Sequence, residues 1–162
     1  MSTIADLSPQ IVWKNFYELT KIPRPSKFEQ EAAKYICDFG KNLGLESFQD
    51  EIGNVIIRKP ATPGMEDRMG IILQAHIDMV PQKNNDVEHD FKKDPIKPRI
   101  VDNMVYATGT TLGADNGLGC AVAMAVTWMP RECSSVPTSG RIRPFLIRLS
   151  KLSNVKQVRK EA

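Results

Sequence analysis

His76, Asp78 and Asp115 are the residues whose types and spacing could do chemistry. The run Ile71-Ile-Leu-Gln-Ala-His76-Ile-Asp78 ends an apolar stretch in a histidine and an aspartate. Residues two apart on an extended backbone face the same side. His76 can then give one ring nitrogen to a metal, while Asp78 takes the N–H of the other, fixing the tautomer and strengthening the ligand. Asp78 is too close in sequence to be a convenient second ligand of the same ion. Asp115 sits in Gly109-Thr-Thr-Leu-Gly-Ala-Asp115-Asn116-Gly117, where glycines allow close backbone approach. A carboxylate there could bridge two metals ~3.5–4 Å apart, the geometry of two-metal hydrolases. Each motif also has a plainer reading. His-x-Asp can be a satisfied strand-end histidine, and Asp-Asn-Gly are ordinary turn residues. Taken together, they read as half of a metal site.

Positioning these groups asks for a strand before His76 and a helix after Asp115. Residues 70–75 form a short apolar run between polar loops, which predicts a buried strand. Residues 120–128 are small and apolar, which predicts a buried helix. Upstream, Ser8-Pro9 reads as N-cap and first helical residue, followed by Ile11, Val12, Phe16 and Leu19 on one face. Pro23-Arg-Pro25 breaks that helix. Ser26-x-x-Glu29 has the form of a capping box, with Phe28, Ala32, Tyr35, Ile36 and Phe39 on the buried face of the helix it starts and Gly44 as its stop. Residues 45–49 and 54–58 read as two strands around a turn at 50–53. Residues 81–98 are polar and irregular, and 99–107 read as a hairpin turning at Asp102-Asn103. Helices alternating with strands predict an α/β layer fold.

Composition sets the outer bounds. The chain has 162 residues, 41% hydrophobic and 25% charged, ordinary for one soluble domain. The longest apolar run is far short of the ~20 residues that span a bilayer, and the N-terminus lacks the basic and apolar regions of a secretory signal. Cys37, Cys120 and Cys133 lack metal-type spacing and read as reduced cytosolic thiols. The net charge of +3 is unevenly spread. Residues 1–128 hold 14 Lys+Arg against 17 Asp+Glu, a balance of −3, and residues 129–162 hold 8 against 2, a balance of +6. The basic surplus therefore says little about partners of the main domain.

The stretches Leu73-Gln-Ala-His-Ile-Asp-Met-Val-Pro-Gln-Lys-Asn84, His89-Asp-Phe, Asp94-Pro-Ile and Gly109 to Gly117 resemble bacterial aminoacylhistidine dipeptidases, also called Xaa-His or carnosine-type dipeptidases. Asn54 to Glu66 fits the same family, and the resemblance runs from about Leu7 to about Val126. It implies a co-catalytic zinc metallopeptidase with an α/β catalytic domain, a mixed sheet flanked by helices, interrupted in the full enzyme by a smaller lid or dimerisation domain. It implies two zinc ions per site, with cobalt or manganese as substitutes. Under it His76 is a ligand of one metal, Asp115 the bridging ligand, and Asp78 the catalytic-site carboxylate that orients His76. The Asp115–Asn116 peptide bond would be cis. The implied reaction is hydrolysis of small Xaa-His dipeptides. The metals polarise the scissile carbonyl and activate a water, and a glutamate moves its proton to the leaving amine. The resemblance further implies a cytoplasmic enzyme, a homodimer when complete, with neither nucleic acid nor membrane as partner.

The sequence departs from that family after Trp128. The family continues into a strand ending in a Glu-Glu pair, one the general base and one a ligand, and then supplies a further Asp and a distant His. Here the only acidic residues after Trp128 are Glu132 and Glu161, and no histidine follows His89. His89 itself reads as a loop-packing residue. The expected organisation is thus residues 1–128 as the N-terminal part of a catalytic domain, incomplete, and residues 129–162 as a basic tail unlike the family. Phe145, Leu149, Leu152 and Val155 in that tail recur at helical spacing. The tail reads most simply as out-of-frame sequence, with a basic amphipathic interaction module as the alternative. The chain is then either a dipeptidase represented by its N-terminal portion or an inactive remnant that lacks the general base and remaining ligands. Either way the strand at 70–75 is expected to leave a sheet edge open to aggregation.

Overall fold

The computed structural model describes residues 3–129 and, for the backbone alone, the strand Phe145–Ser150. Its helices are α1 (Gln10–Lys21), α2 (Gln30–Asn42) and α3 (Ala114–Trp128); its strands are β1 (Glu46–Gln49), β2 (Val55–Lys59), β3 (Ile71–His76), β4 (Pro98–Val101), β5 (Met104–Ala107) and β6 (Phe145–Ser150). Four strands form one mixed sheet in the order β1-β2-β6-β3. β1 and β2 are antiparallel, β2 and β6 antiparallel, and β6 and β3 parallel. β4 and β5 make a separate hairpin. The α/β class read from the sequence is the class observed.

The helical periodicity expected for the first two helices is present, while their caps differ from the reading. α1 starts at Gln10 with Pro9 as N-cap and no side-chain cap bond, so Ser8 does not cap it. α2 starts at Gln30 with Glu29 as N-cap, again without a side-chain cap bond. The supposed capping box fails because Ser26 is engaged elsewhere: its hydroxyl donates to Asp78 Oδ2 at 2.6 Å and its amide to the Met79 carbonyl at 3.2 Å. Phe28 precedes the helix and is exposed, while Ala32 and Ile36 point into the core. Gly44 ends α2 as expected, at φ +71°, the left-handed region a terminal glycine reaches without a Cβ penalty.

β2 buries Val55, Ile57 and Lys59 and leaves Arg58 exposed, the alternation of a sheet with one covered face. Val55 and Ile57 join Leu19, Ala33, Ile36, Ala75, Ile77 and Met124 in the main core. Lys59 turns its ammonium to the Thr127 carbonyl at 2.8 Å, so β2 holds the carboxyl end of α3, where exposed carbonyls favour a cation. On the outer face Arg58 pairs with Glu46 at 2.6 Å. α1 packs on α3 through Phe16 and Ala121, and Asn15 Nδ2 donates to the Ala121 carbonyl at 3.3 Å.

Two further expectations, besides the caps and Phe28, need correction. β3 was expected to be buried, yet Ile71 is 46% exposed and Ile72 64% exposed, with only Ala75 buried. The reason is position: among the described residues β3 is the last strand of the sheet and pairs on one side, with β6. The second concerns 145–155, read as helical spacing. Residues 145–150 are a strand, paired on both sides, with Val55 opposite Leu149 and Ile71 opposite Phe145. A backbone slot between β2 and β3 rewards an extended Leu-Ile-x-Leu run more than local periodicity rewards a helix. The remaining tail, residues 130–144 and 151–162, lies outside the described residues, as do Cys133, Glu132 and Glu161. The β4–β5 hairpin turns at Asp102 and Asn103 with φ of +49° and +62°, as the Asp-Asn pair predicts.

Candidate metal centre

The site forms where β3 ends and α3 begins. His76 is the last residue of β3, and its parallel neighbour in register on β6 is Ser150. Its ring is held at both nitrogens. Nδ1 faces the Asp78 backbone carbonyl at 3.0 Å and the Asp78 Oδ1 atom at 3.5 Å. Nε2 faces Asp115 Oδ1 at 3.1 Å. Both neighbours are acceptors, and a neutral imidazole carries one N–H. With that hydrogen on Nδ1 and given to Asp78, the Nε2 lone pair points at a carboxylate oxygen. A hydrogen on Nε2 would make the 3.1 Å approach an ordinary hydrogen bond, whereas the Nδ1–H tautomer leaves Nε2 and Asp115 free to share a cation.

The separation fits one. Two donors ~2.0–2.2 Å from a tetrahedral zinc lie ~3.3 Å apart, against the observed 3.1 Å. The Asp115 side chain is 95% exposed, so its second oxygen is open to solvent on the side away from His76. A zinc ion placed here would be held by His76 Nε2 and Asp115. Among the described residues no group of three or more His, Cys, Asp or Glu is arranged to hold a metal. A catalytic zinc normally has three protein ligands, so the described residues supply at most two of them, His76 and Asp115.

Each supporting residue has a defined place. Asp78 is buried, accepting the Ser26 hydroxyl at Oδ2. The Pro23–Ser26 segment runs beside the chain just past β3: Met79 donates its amide to the Arg24 carbonyl at 3.1 Å, and Ser26 returns the bond to Met79 at 3.2 Å. Asp115 follows Gly113, which has φ +71° and caps α3. Asp115 and Asn116 are non-helical, and the peptide bond between them is cis, as the family resemblance implied. Cys120, one turn into the helix, donates its thiol to the His76 carbonyl at 3.2 Å. Burial pushes that thiol up to about 12, so it stays protonated at neutral pH. His89 packs edge-on against Phe91 at 4.5 Å, the loop role expected of it.

Sequence reasoning missed Arg24 and Ser26. Both lie in Pro23-Arg-Pro-Ser26, with Arg24 read only as part of a helix break and Ser26 as the start of a capping box. A buried-type arginine between two prolines was the available signal.

The fold and the paired His–Asp geometry define a chain related to peptidases of one structural class, matched over their N-terminal part. No protein-family model matches the sequence. The cytosol non-specific dipeptidase of Escherichia coli strain K12 is 55% identical over 126 residues, which are 78% of this chain and 26% of that enzyme. The crystal structure of aminoacylhistidine dipeptidase from Vibrio alginolyticus superposes with a TM-score of 0.84 at 46% identity, covering 93% of this chain and 29% of that one. Aminopeptidase PepT from Bacillus cereus gives a TM-score of 0.67 at 25% identity, over 88% of this chain and 36% of the other. The resemblance read from His76, Asp78 and the glycine-rich turn is thus shown, the Escherichia coli and Vibrio alginolyticus proteins both being dipeptidases by name. The chain spans about a quarter of the length of the curated dipeptidase it matches.

Proposed function

We propose that this chain is the N-terminal portion of the catalytic domain of a metal-dependent dipeptidase acting on Xaa-His substrates in the cytosol. His76 would hold one zinc, Asp115 would bridge to a second, and Asp78 would orient His76. The observation that carries this reading is the Nε2–Oδ1 approach of 3.1 Å with Nδ1 already committed to Asp78. Zinc, when bound, would polarise the scissile carbonyl and lower the pKa of a bound water. The chain's own residues set the stage for it. Asp78 fixes the imidazole tautomer, Ser26 fixes Asp78, and the Gly113 turn presents Asp115 toward the ring.

The described residues offer no general base beside this pair. The position on β6 in register with His76 is Ser150, a residue that carries no carboxylate. Without a positioned base, turnover falls by a factor of about 10² to 10⁴. The proposal therefore assigns metal binding to this chain and places completion of the site in residues supplied from elsewhere. Zinc titration of the purified chain tests it, alongside His76→Ala and Asp115→Asn, with a Xaa-His dipeptide offered in parallel. One bound zinc per chain, lost in both variants, with little or no turnover, is the expected outcome. Zinc binding unchanged by both substitutions would sink the assignment, and brisk turnover would show that the site is complete.

A further inference from the structure

We infer that Arg24 is the positioning residue that locks the two halves of the metal site at their working separation. This inference rests on the metal-site reading above, and its test can fail independently of it. Arg24 is 2% exposed, yet it carries a charge. Burial lowers its pKa, and the field of Asp78 opposes that fall. Nη1 donates to the Ile77 carbonyl at 2.7 Å, and Nη2 donates to the Gly113 carbonyl at 2.7 Å. Ile77 immediately follows His76, and Gly113 lies two residues before Asp115. One rigid guanidinium therefore spans the gap between the histidine half and the aspartate half.

The glycine-rich turn is built around this side chain. A Cβ on Gly113 would lie 2.6 Å from Arg24 Nη2, and a Cβ on Gly117 would lie 2.5 Å from the same atom. The first and last glycines of Gly-Ala-Asp-Asn-Gly thus form the slot that admits the guanidinium. The Gly113 carbonyl also accepts the Gly117 amide at 3.1 Å, closing the turn that carries Asp115. Arg24's own backbone carbonyl accepts the Met79 amide, so the residue fastens the segment after β3 by main chain and side chain at once. Burying a cation against two carbonyls is a costly way to gain stability alone. A planar fork that reaches two separate elements is suited to holding geometry. A lysine has one nitrogen and cannot occupy both ends of this span.

The test compares Arg24→Met and Arg24→Lys with Lys59→Met, which removes another buried cation that bonds backbone carbonyls, away from the site. Zinc affinity, amide hydrogen exchange and urea stability are measured on all three and on the unsubstituted chain. Positioning predicts at least about tenfold weaker zinc binding in both Arg24 variants, the size of effect seen when ligand-orienting partners are removed. It predicts accelerated exchange at the Met79 and Gly117 amides together, with β1 and β2 amides unchanged. Lys59→Met should lose stability while keeping zinc affinity and those two amides. Arg24→Lys serves if Arg24→Met does not fold. Exchange at Met79 and Gly117 no faster in the Arg24 variants than in Lys59→Met would overturn the inference. So would zinc affinity that follows stability alone across the three. If the unsubstituted chain binds no zinc, the metal reading falls and the exchange comparison decides the role of Arg24.

Discussion

Gly44 and Gly113 offer a matched pair that weighs packing at the site against backbone conformation. Both have φ +71°. A Cβ on Gly44 would meet nothing within 4 Å, whereas one on Gly113 would meet Arg24 Nη2 at 2.6 Å and Met79 Sδ at 2.8 Å. Placing alanine in the left-handed region costs about 1–2 kcal/mol at either position. At Gly113 the new methyl must also displace its neighbours. The tip of Met79 can swing aside, but Arg24 is tied to the Ile77 and Gly113 carbonyls. Forcing an extra methyl into such a contact adds about 1–3 kcal/mol. Gly44→Ala should therefore lose about 1–2 kcal/mol and Gly113→Ala about 2–5 kcal/mol. With a urea slope of about 2 kcal/mol per molar, the midpoint of Gly113→Ala should fall about 0.5–1.5 M below that of Gly44→Ala. Urea unfolding followed by circular dichroism at constant slope gives both numbers. Equal midpoints would show that the turn is not packed around Arg24 and would refute the reasoning.

Three further outcomes follow from the geometry. Asp78→Asn should weaken zinc binding only about tenfold, the low end for an orienting partner, because the shorter contact to Nδ1 is the backbone carbonyl, which asparagine keeps; a loss of a hundredfold by zinc competition would give the carboxylate the larger share. Cys120, raised from 9.0 to about 12 when folded, keeps its proton in the fold while the unfolded thiol ionises, so its contribution to stability is intact below pH 9 and is lost as pH rises toward 12. A Cys120→Ala chain should show a flatter fall in urea midpoint over that window than the unsubstituted chain, and identical falls would contradict it. Ile72→Lys places a charge on a 64% exposed edge position and should reduce light scattering at high concentration, with stability changed by no more than about 0.5 kcal/mol; unchanged scattering would show that this edge does not drive association.

The parts legible in the sequence were those whose signal is local. The Asp102-Asn103 turn, the Gly44 stop and the strand–turn–strand at 46–59 each follow from residues within a few positions, and Asp50 holds its own turn by accepting the Ile52 and Asn54 amides. His76, Asp78 and Asp115 were legible because a strand end and a glycine-rich helix start are recognisable separately. That they meet, 39 residues apart, is a tertiary fact. The misreadings share one cause. Ser26-x-x-Glu29 has the letters of a capping box, but Asp78, 52 residues away, captures the Ser26 hydroxyl. Ile71 and Ile72 are apolar enough for a central strand, but strand order puts them at an edge. Arg24 offered locally only its place between two prolines, and its role was not legible there because both its carbonyl partners are more than 50 residues distant.

The central claim is that His76 and Asp115 take one metal between them. X-ray absorption at the zinc edge of the zinc-loaded chain reads the ligands directly. The account predicts one imidazole nitrogen at about 2.0–2.1 Å, the remaining scatterers oxygen, and loss of the imidazole signature in His76→Ala but not in His89→Ala. A sulfur scatterer at about 2.3 Å, or an imidazole signal that survives His76→Ala, would contradict it.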